Sequence, residues 1–230
     1  MKSLILSIFL FFGLLINAFA ATSQMQDNLE QYFLLAVSRN EIETVRDLIS
    51  EGVNINYQEP KNEMDALSIA AFNENKEMMI LLICSGIDVN LKNRLGVTAL
   101  HTAILSNNIE LVNLILSSGA KSTSSNAGLT SIMFAAYMGN NDIIKIFISR
   151  GESINTAQPD GWTPIMHAIA KNKEDTVLFL LKNGADLNAM ASLDGNTTPI
   201  SILEIAKHYG NPNIISAIEK AANKSFKDTP

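Results

Sequence analysis

The chain is poor in the residues that most often carry chemistry. It has one cysteine, Cys84, and three histidines, His101, His167 and His208. A single thiol rules out an internal disulfide and a metal site built on paired cysteines. The histidines are too few and too scattered along the sequence to suggest a metal centre. There is no glycine-rich loop of the phosphate-binding kind, and no serine, histidine and acid at spacings that suggest a catalytic set. No metal, no cofactor and no catalytic residue is therefore expected, and the chain is not read as an enzyme. Basic residues are also in deficit, 17 against 23 acidic, for a formal net charge of −6. Such a balance argues against nucleic acid as a partner, because phosphates call for a basic face.

Long apolar runs are absent except at the start. Lys2 precedes "SLILSIFLFFGLLINAFA", which ends in Ala18-Phe19-Ala20. A basic residue, a short apolar core and a small-x-small ending make the pattern of a secretory signal. The run is short of the roughly 20 apolar residues a membrane-spanning helix needs. Residues 1–20 are expected to be a cleaved signal peptide and 21–27 a linker. No membrane span is expected in the mature chain. An exported protein without disulfides must hold itself together by burial, and the remaining length is sufficient for a core.

What the chain does have is repetition. Gly52, Gly86, Gly119, Gly151 and Gly184 follow successive apolar runs at spacings of 34, 33, 32 and 33 residues. Ala36, Ala70, Ala103, Ala135, Ala168 and Ala206 repeat in step with them. A period this regular marks stacked units that bury their apolar faces only against neighbours. Within each unit Asp65, Thr98, Thr130 or Thr163 is placed to cap a first helix. Pro164 falls at a first helical position, where its missing N–H does no harm. Ser201 to Glu204, "SILE", reads as a capping box. The second helices offer Met79, Leu81 and Leu82; Val112, Leu114 and Ile115; and Ile144, Ile146 and Phe147 as core. The glycines would end those helices in the left-handed conformation.

The unit resembles the ankyrin repeat, with its turn, T-P-L-H, two helices and G-A-D. "TPIMHAIA" and "NGADLNA" match best, and "TALHTAI" is next. The resemblance implies an all-α, ankyrin-repeat solenoid of about six helix-turn-helix units with short finger loops. Residues 28–222 would form it, with polar end units as caps and 223–230 as a polar tail. Glu30, Gln31, Ser38 and Arg39 suit an exposed first cap. Ala189 to Ser201 adds about five residues to one period and is expected to form an extended finger loop. In the family, the His101 position is usually structural, hydrogen-bonded to turn backbone.

The resemblance also implies binding of a protein partner through a concave face built from fingers and first helices, by a chain expected to be monomeric. Two columns on that face are apolar here. The residue before each cap is Met64, Val97, Leu129 or Trp162. The position that follows Ala70-Ala71 and its equivalents holds Phe72, Leu105, Tyr137 and then Ala170, with Met138 beside Tyr137. Either these side chains pack on one another and finish the core, or they form an accessible patch with Trp162 as an anchor. Arg39, Asn73, Lys171, His208 and Tyr209 would make the rim. A partner-binding role is expected in the periplasm or outside the cell. The alternatives are a secreted effector that engages host proteins and an inhibitor or scaffold of an envelope enzyme.

Overall fold

The computed structural model describes residues 27–122, 125–192 and 198–227, and of 224–227 only the backbone. The expected signal peptide and most of the linker lie outside the described residues. The described residues divide into two compact units, one ending at Leu91 and the other beginning at Lys92.

The first unit contains two helix pairs. Helix α1 spans residues 27–38 and is followed by α2 (Ile42–Ser50), α3 (Ala66–Phe72) and α4 (Lys76–Cys84). Asp65 caps α3, accepting from Ser68 N at 2.9 Å and from Ser68 Oγ at 2.8 Å. Burial holds the Asp65 carboxyl above the usual carboxylate range, against the opposing effect of those bonds. The pairs are tied by side chains at equivalent places. Asn73 Nδ2 donates to the Ser38 carbonyl at 3.1 Å, Asn75 Nδ2 donates to Asn40 Oδ1, and Asp88 N donates to Asn56 Oδ1 at 2.8 Å. Gln31, Ser38 and Arg39 are exposed, as a cap requires, but Glu30 is only 7% exposed and belongs to the packed side of α1.

The second unit repeats the pair: α5 (Ala99–Leu105) with α6 (Ile109–Ser117), α7 (Ser131–Met138) with α8 (Asn141–Ser149), α9 (Pro164–Ala170) with α10 (Glu174–Lys182), and α11 (Ile202–Tyr209) with α12 (Pro212–Lys227). First helices pack in series, α5 on α7, α7 on α9 and α9 on α11. The alanines make this close approach feasible: Ala103, Ala135, Ala168 and Ala206 are fully buried. Helix α12 runs through residues 223–227, which the sequence places in the tail.

The core register of the second helices differs from the sequence expectation. The buried sets are Met78, Met79 and Leu82; Leu111, Val112 and Ile115; Ile143, Ile144 and Phe147; and Thr176, Val177 and Leu180. Leu81, Leu114 and Ile146 are only half-buried. These four second helices each bury a face at positions i, i+1 and i+4, to which α6 adds Leu116. Its apolar run is wider than that face, so the run does not reveal which side is covered.

Between pairs the chain turns through short fingers. Three fingers of the second unit close in the same way: Asn93 N donates to the Val97 carbonyl, Ser125 N to Leu129 and Gln158 N to Trp162, all at 2.9 Å. Neighbouring fingers are bonded in turn, Asn126 N to the Leu95 carbonyl at 3.0 Å and Ser192 N to Asp160 at 2.9 Å. The long finger adds strand to an otherwise helical fold: β1 (Met190–Ala191) pairs antiparallel with β2 (Ile200–Ser201). Residues 193–197 of that finger lie outside the described residues.

Candidate functional site

The helix starts position the face that the sequence singles out. Ser201 and Glu204 form the expected capping box, with Glu204 Oε2 accepting from Ser201 N at 2.7 Å and from Ser201 Oγ at 2.8 Å. Those bonds hold the exposed Glu204 carboxyl below its ordinary value. At α5, His101 takes the role the resemblance implies. Thr98 N donates to His101 Nδ1 at 3.2 Å, and Thr98 Oγ1 lies 3.0 Å from the same nitrogen. Burial lowers the His101 pKa to about 4, Lys92 pushes the same way, and the Leu129 carbonyl pulls the other. The ring is a neutral acceptor at neutral pH. At α7 a methionine does the same work: Thr130 N donates to Met133 Sδ at 3.5 Å, and Thr130 Oγ1 accepts from Met133 N at 3.4 Å. Thr163, expected to cap α9, does not. Its side chain makes no cap hydrogen bond, and its Oγ1 is buried without a partner.

His167 is also structural. Its Nε2 lies 2.6 Å from Gln158 Oε1, and Gln158 Nε2 donates to the Ala127 carbonyl at 2.6 Å. The imidazole thus fastens one finger to the helix behind it and, through Gln158, to the finger before. Burial lowers its pKa to about 4, opposed by Asp160.

The two apolar columns fall in both units. In the first, Met64 is half-buried and Phe72 is 65% exposed. Met64 lines a groove of about 560 Å³ with Leu34, Leu35, Pro60 and Ile69. In the second, Val97, Leu129 and Trp162 are half-buried on consecutive fingers, as are Tyr137 and Met138, and Leu105 is 49% exposed. None of the eight is sealed from water. Contributions that the sequence reading missed come from Leu95, 69% exposed at a finger turn, and from Phe134. Phe134 stacks on Tyr137 with centroids 6.3 Å apart and meets His101 edge-on at 5.7 Å. Its equivalence to His167, four residues after each cap, was the available signal.

Trp162 has a local reason for its place in the turn. Its Nε1 donates to the Ser192 carbonyl at 3.0 Å, and its ring lies 5.2 Å from His167 and 6.4 Å from Tyr209. The indole closes the seam between its own turn and the long finger while keeping part of its surface open. Tyr209, expected on the polar rim, joins this aromatic contact instead. His208 and Lys171 are exposed, and the Lys171 ammonium sits 4.6 Å over the Tyr137 ring. Cys84 is exposed at the end of α4. Among the described residues no group of His, Cys, Asp and Glu is arranged to hold a metal ion, and no helix is long and apolar enough to cross a membrane.

Comparison with known proteins agrees with this architecture. The family model described as ankyrin repeats (three copies) matches residues 33–126 and 120–191. No curated protein matches. Among solved structures, the ankyrin repeat domain of human ASB11 is similar with a TM-score of 0.69 and 24% identity, over 82% of each chain. At that identity the likeness speaks for the fold alone.

Proposed function

The chain belongs to the ankyrin-repeat family, and on that footing we propose that it is an exported protein-interaction module. Members of the family mediate protein–protein contacts. Here a partner docks on the face made by the fingers and first helices. The observation that carries this reading is the series of apolar side chains left open to water on that face of the second unit: Val97, Leu105, Leu129, Tyr137, Met138 and Trp162. The first unit, taken by itself, leaves Met64 and Phe72 open. Large apolar and aromatic side chains held on a rigid scaffold supply binding energy at a low cost in ordering. Recognition, rather than catalysis, is the activity. Export rests on the leader pattern of residues 1–20 and places the partner in the periplasm or outside the cell.

The test is site-directed photocrosslinking in cells. A photoreactive residue at Leu105 should give a discrete adduct with one partner, and one at Leu178 on α10 should not. Adducts from Leu178 alone would put the interface on the other side and overturn the reading. Fractionation of the same cells tests export: mature chain found only in the cytosol would refute it.

A further inference from the structure

The fingers of the second unit are bonded to one another at a carbonyl that repeats. Asn93, Ser125 and Gln158 each close a finger, and the carbonyl two residues further on belongs to Leu95, Ala127 or Asp160. The Leu95 carbonyl accepts from Asn126 N at 3.0 Å, and the Asp160 carbonyl from Ser192 N at 2.9 Å. Main chain meets main chain at both seams, and each seam carries a second bond. Asn126 Nδ2 donates to the Arg94 carbonyl at 2.7 Å, and Trp162 Nε1 donates to the Ser192 carbonyl at 3.0 Å.

The seam between those two is built differently. The residue 33 positions after Asn126 and 33 before Ser192 is Pro159, which has no N–H to give. The Ala127 carbonyl is reached instead by a side chain, Gln158 Nε2, at 2.6 Å. Among the described residues this is the only hydrogen bond between the two fingers. Gly128 leaves room for it: a Cβ there would lie 3.2 Å from Gln158 Nε2. A glutamine holds such a place only with its rotamers frozen, an entropic cost that a main-chain donor does not incur. His167 freezes them, its Nε2 lying 2.6 Å from Gln158 Oε1. With the amide nitrogen on a carbonyl, Oε1 must face the imidazole, and Oε1 can only accept. His167 Nε2 therefore carries the proton of the neutral ring.

We propose that Gln158 is a latch across a hinge in the row of fingers, with His167 as the residue that positions it. The fingers before α5 and α7 form one stiff pair, and those before α9 and α11 form another. Beneath them the helices stay packed, α7 on α9. Release of Gln158 lets the two pairs part between Ala127 and Asp160, which moves Val97 and Leu129 away from Trp162. The latch stands on finger geometry alone. Its use, adjusting the face to a partner, rests on the interaction reading above.

The experiment reads two seams side by side in the whole chain, in a Cys84→Ser background. Nitroxides on Ala127→Cys and Asp160→Cys span the hinge, and nitroxides on Leu95→Cys and Ala127→Cys span the main-chain seam before it. Gln158→Glu keeps the size of the side chain and the acceptor for His167, and removes the donor to Ala127. It should abolish most of the dipolar broadening of the hinge pair and leave the other pair unchanged. His167→Phe should do the same. Adding Pro159→Asn supplies the N–H that Asn126 provides at its own seam, and should restore the broadening in either variant. Imidazole NMR of the protein without nitroxides should show His167 neutral with its proton on Nε2. A hinge pair that ignores Gln158→Glu, equal losses at both seams, no rescue by Pro159→Asn, or a proton on Nδ1 instead would each overturn the inference. No partner takes part in this test, so its failure leaves the interaction reading standing, and failed crosslinks from Leu105 leave the latch standing.

Discussion

Trp162 and Ser192 are joined by one hydrogen bond, from the indole Nε1 to the Ser192 carbonyl at 3.0 Å. Thirty residues apart in sequence, they fasten the turn before α9 to the long finger before α11. The tryptophan therefore has two faces, one that holds the last pair in place and one that is open.

Replacing Trp162 separates these roles. Trp162→Phe keeps a ring and removes the Nε1 donor, and should cost about 1 kcal/mol. Trp162→Ala should cost about 3 kcal/mol through lost packing. Urea denaturation followed by circular dichroism measures both. Midpoints equal to wild type would show that the indole does not bind the finger.

Gly161 and Gly151 isolate a close approach. Both adopt left-handed backbone, φ +91° and +89°. A Cβ on Gly151 would meet nothing within 4 Å, whereas one on Gly161 would collide with the Met190 carbonyl oxygen. Gly151→Ala should cost about 1 kcal/mol, the price of the backbone conformation alone. Gly161→Ala should cost clearly more, because backbone on the long finger must move. Equal losses in denaturation midpoint would contradict the seam described here.

Acid sensitivity should trace to two histidines. Burial holds His101 and His167 at about 4, below the ordinary histidine value of 6.5. Between those values the unfolded chain binds more protons than the folded one. Stability is thus fully present above pH 6.5 and lost as pH falls toward 4, by up to about 3 kcal/mol for each ring. Asp65, raised by burial, acts with the opposite sign and favours the fold at acidic pH. His101→Met removes one titrating ring and substitutes the side chain that Met133 already uses at the equivalent place. Its denaturation midpoint should fall less than that of wild type between pH 7 and 4.5. Parallel curves would refute the assignment.

Caps that look alike in sequence should respond differently to mutation. Thr130→Val removes a hydroxyl that accepts from Met133 N and should cost about 1 kcal/mol. Thr163→Val removes a buried hydroxyl with no partner and should be neutral or stabilising. A loss at Thr163 as large as that at Thr130 would reveal a hydrogen bond the structure lacks.

Much of the architecture was legible because it is local. Pro164 at a helix start, the Ser201–Glu204 capping box and the left-handed glycines after each second helix depend on backbone chemistry within a few residues. Other local devices were overlooked. Asn75, Asn108 and Asn211 cap second helices by accepting from Met78, Leu111 and Ile214 N. Asn40, Asn107 and Asn172 take positive φ in the turns before α2, α6 and α10. Their regular spacing was visible, but in an asparagine-rich chain it carried no contrast.

By itself the sequence determined the period, the helix ends and the stack of small alanines, since each follows from local propensity and from apolar surface that must be buried next to an equivalent neighbour. Tertiary structure alone decided which face of each second helix is covered, that Thr163 goes unbonded while Thr130 caps, and that Trp162, Tyr209 and Ser192 meet. Those outcomes depend on through-space approach between residues tens of positions apart. Identical local letters place no constraint on it.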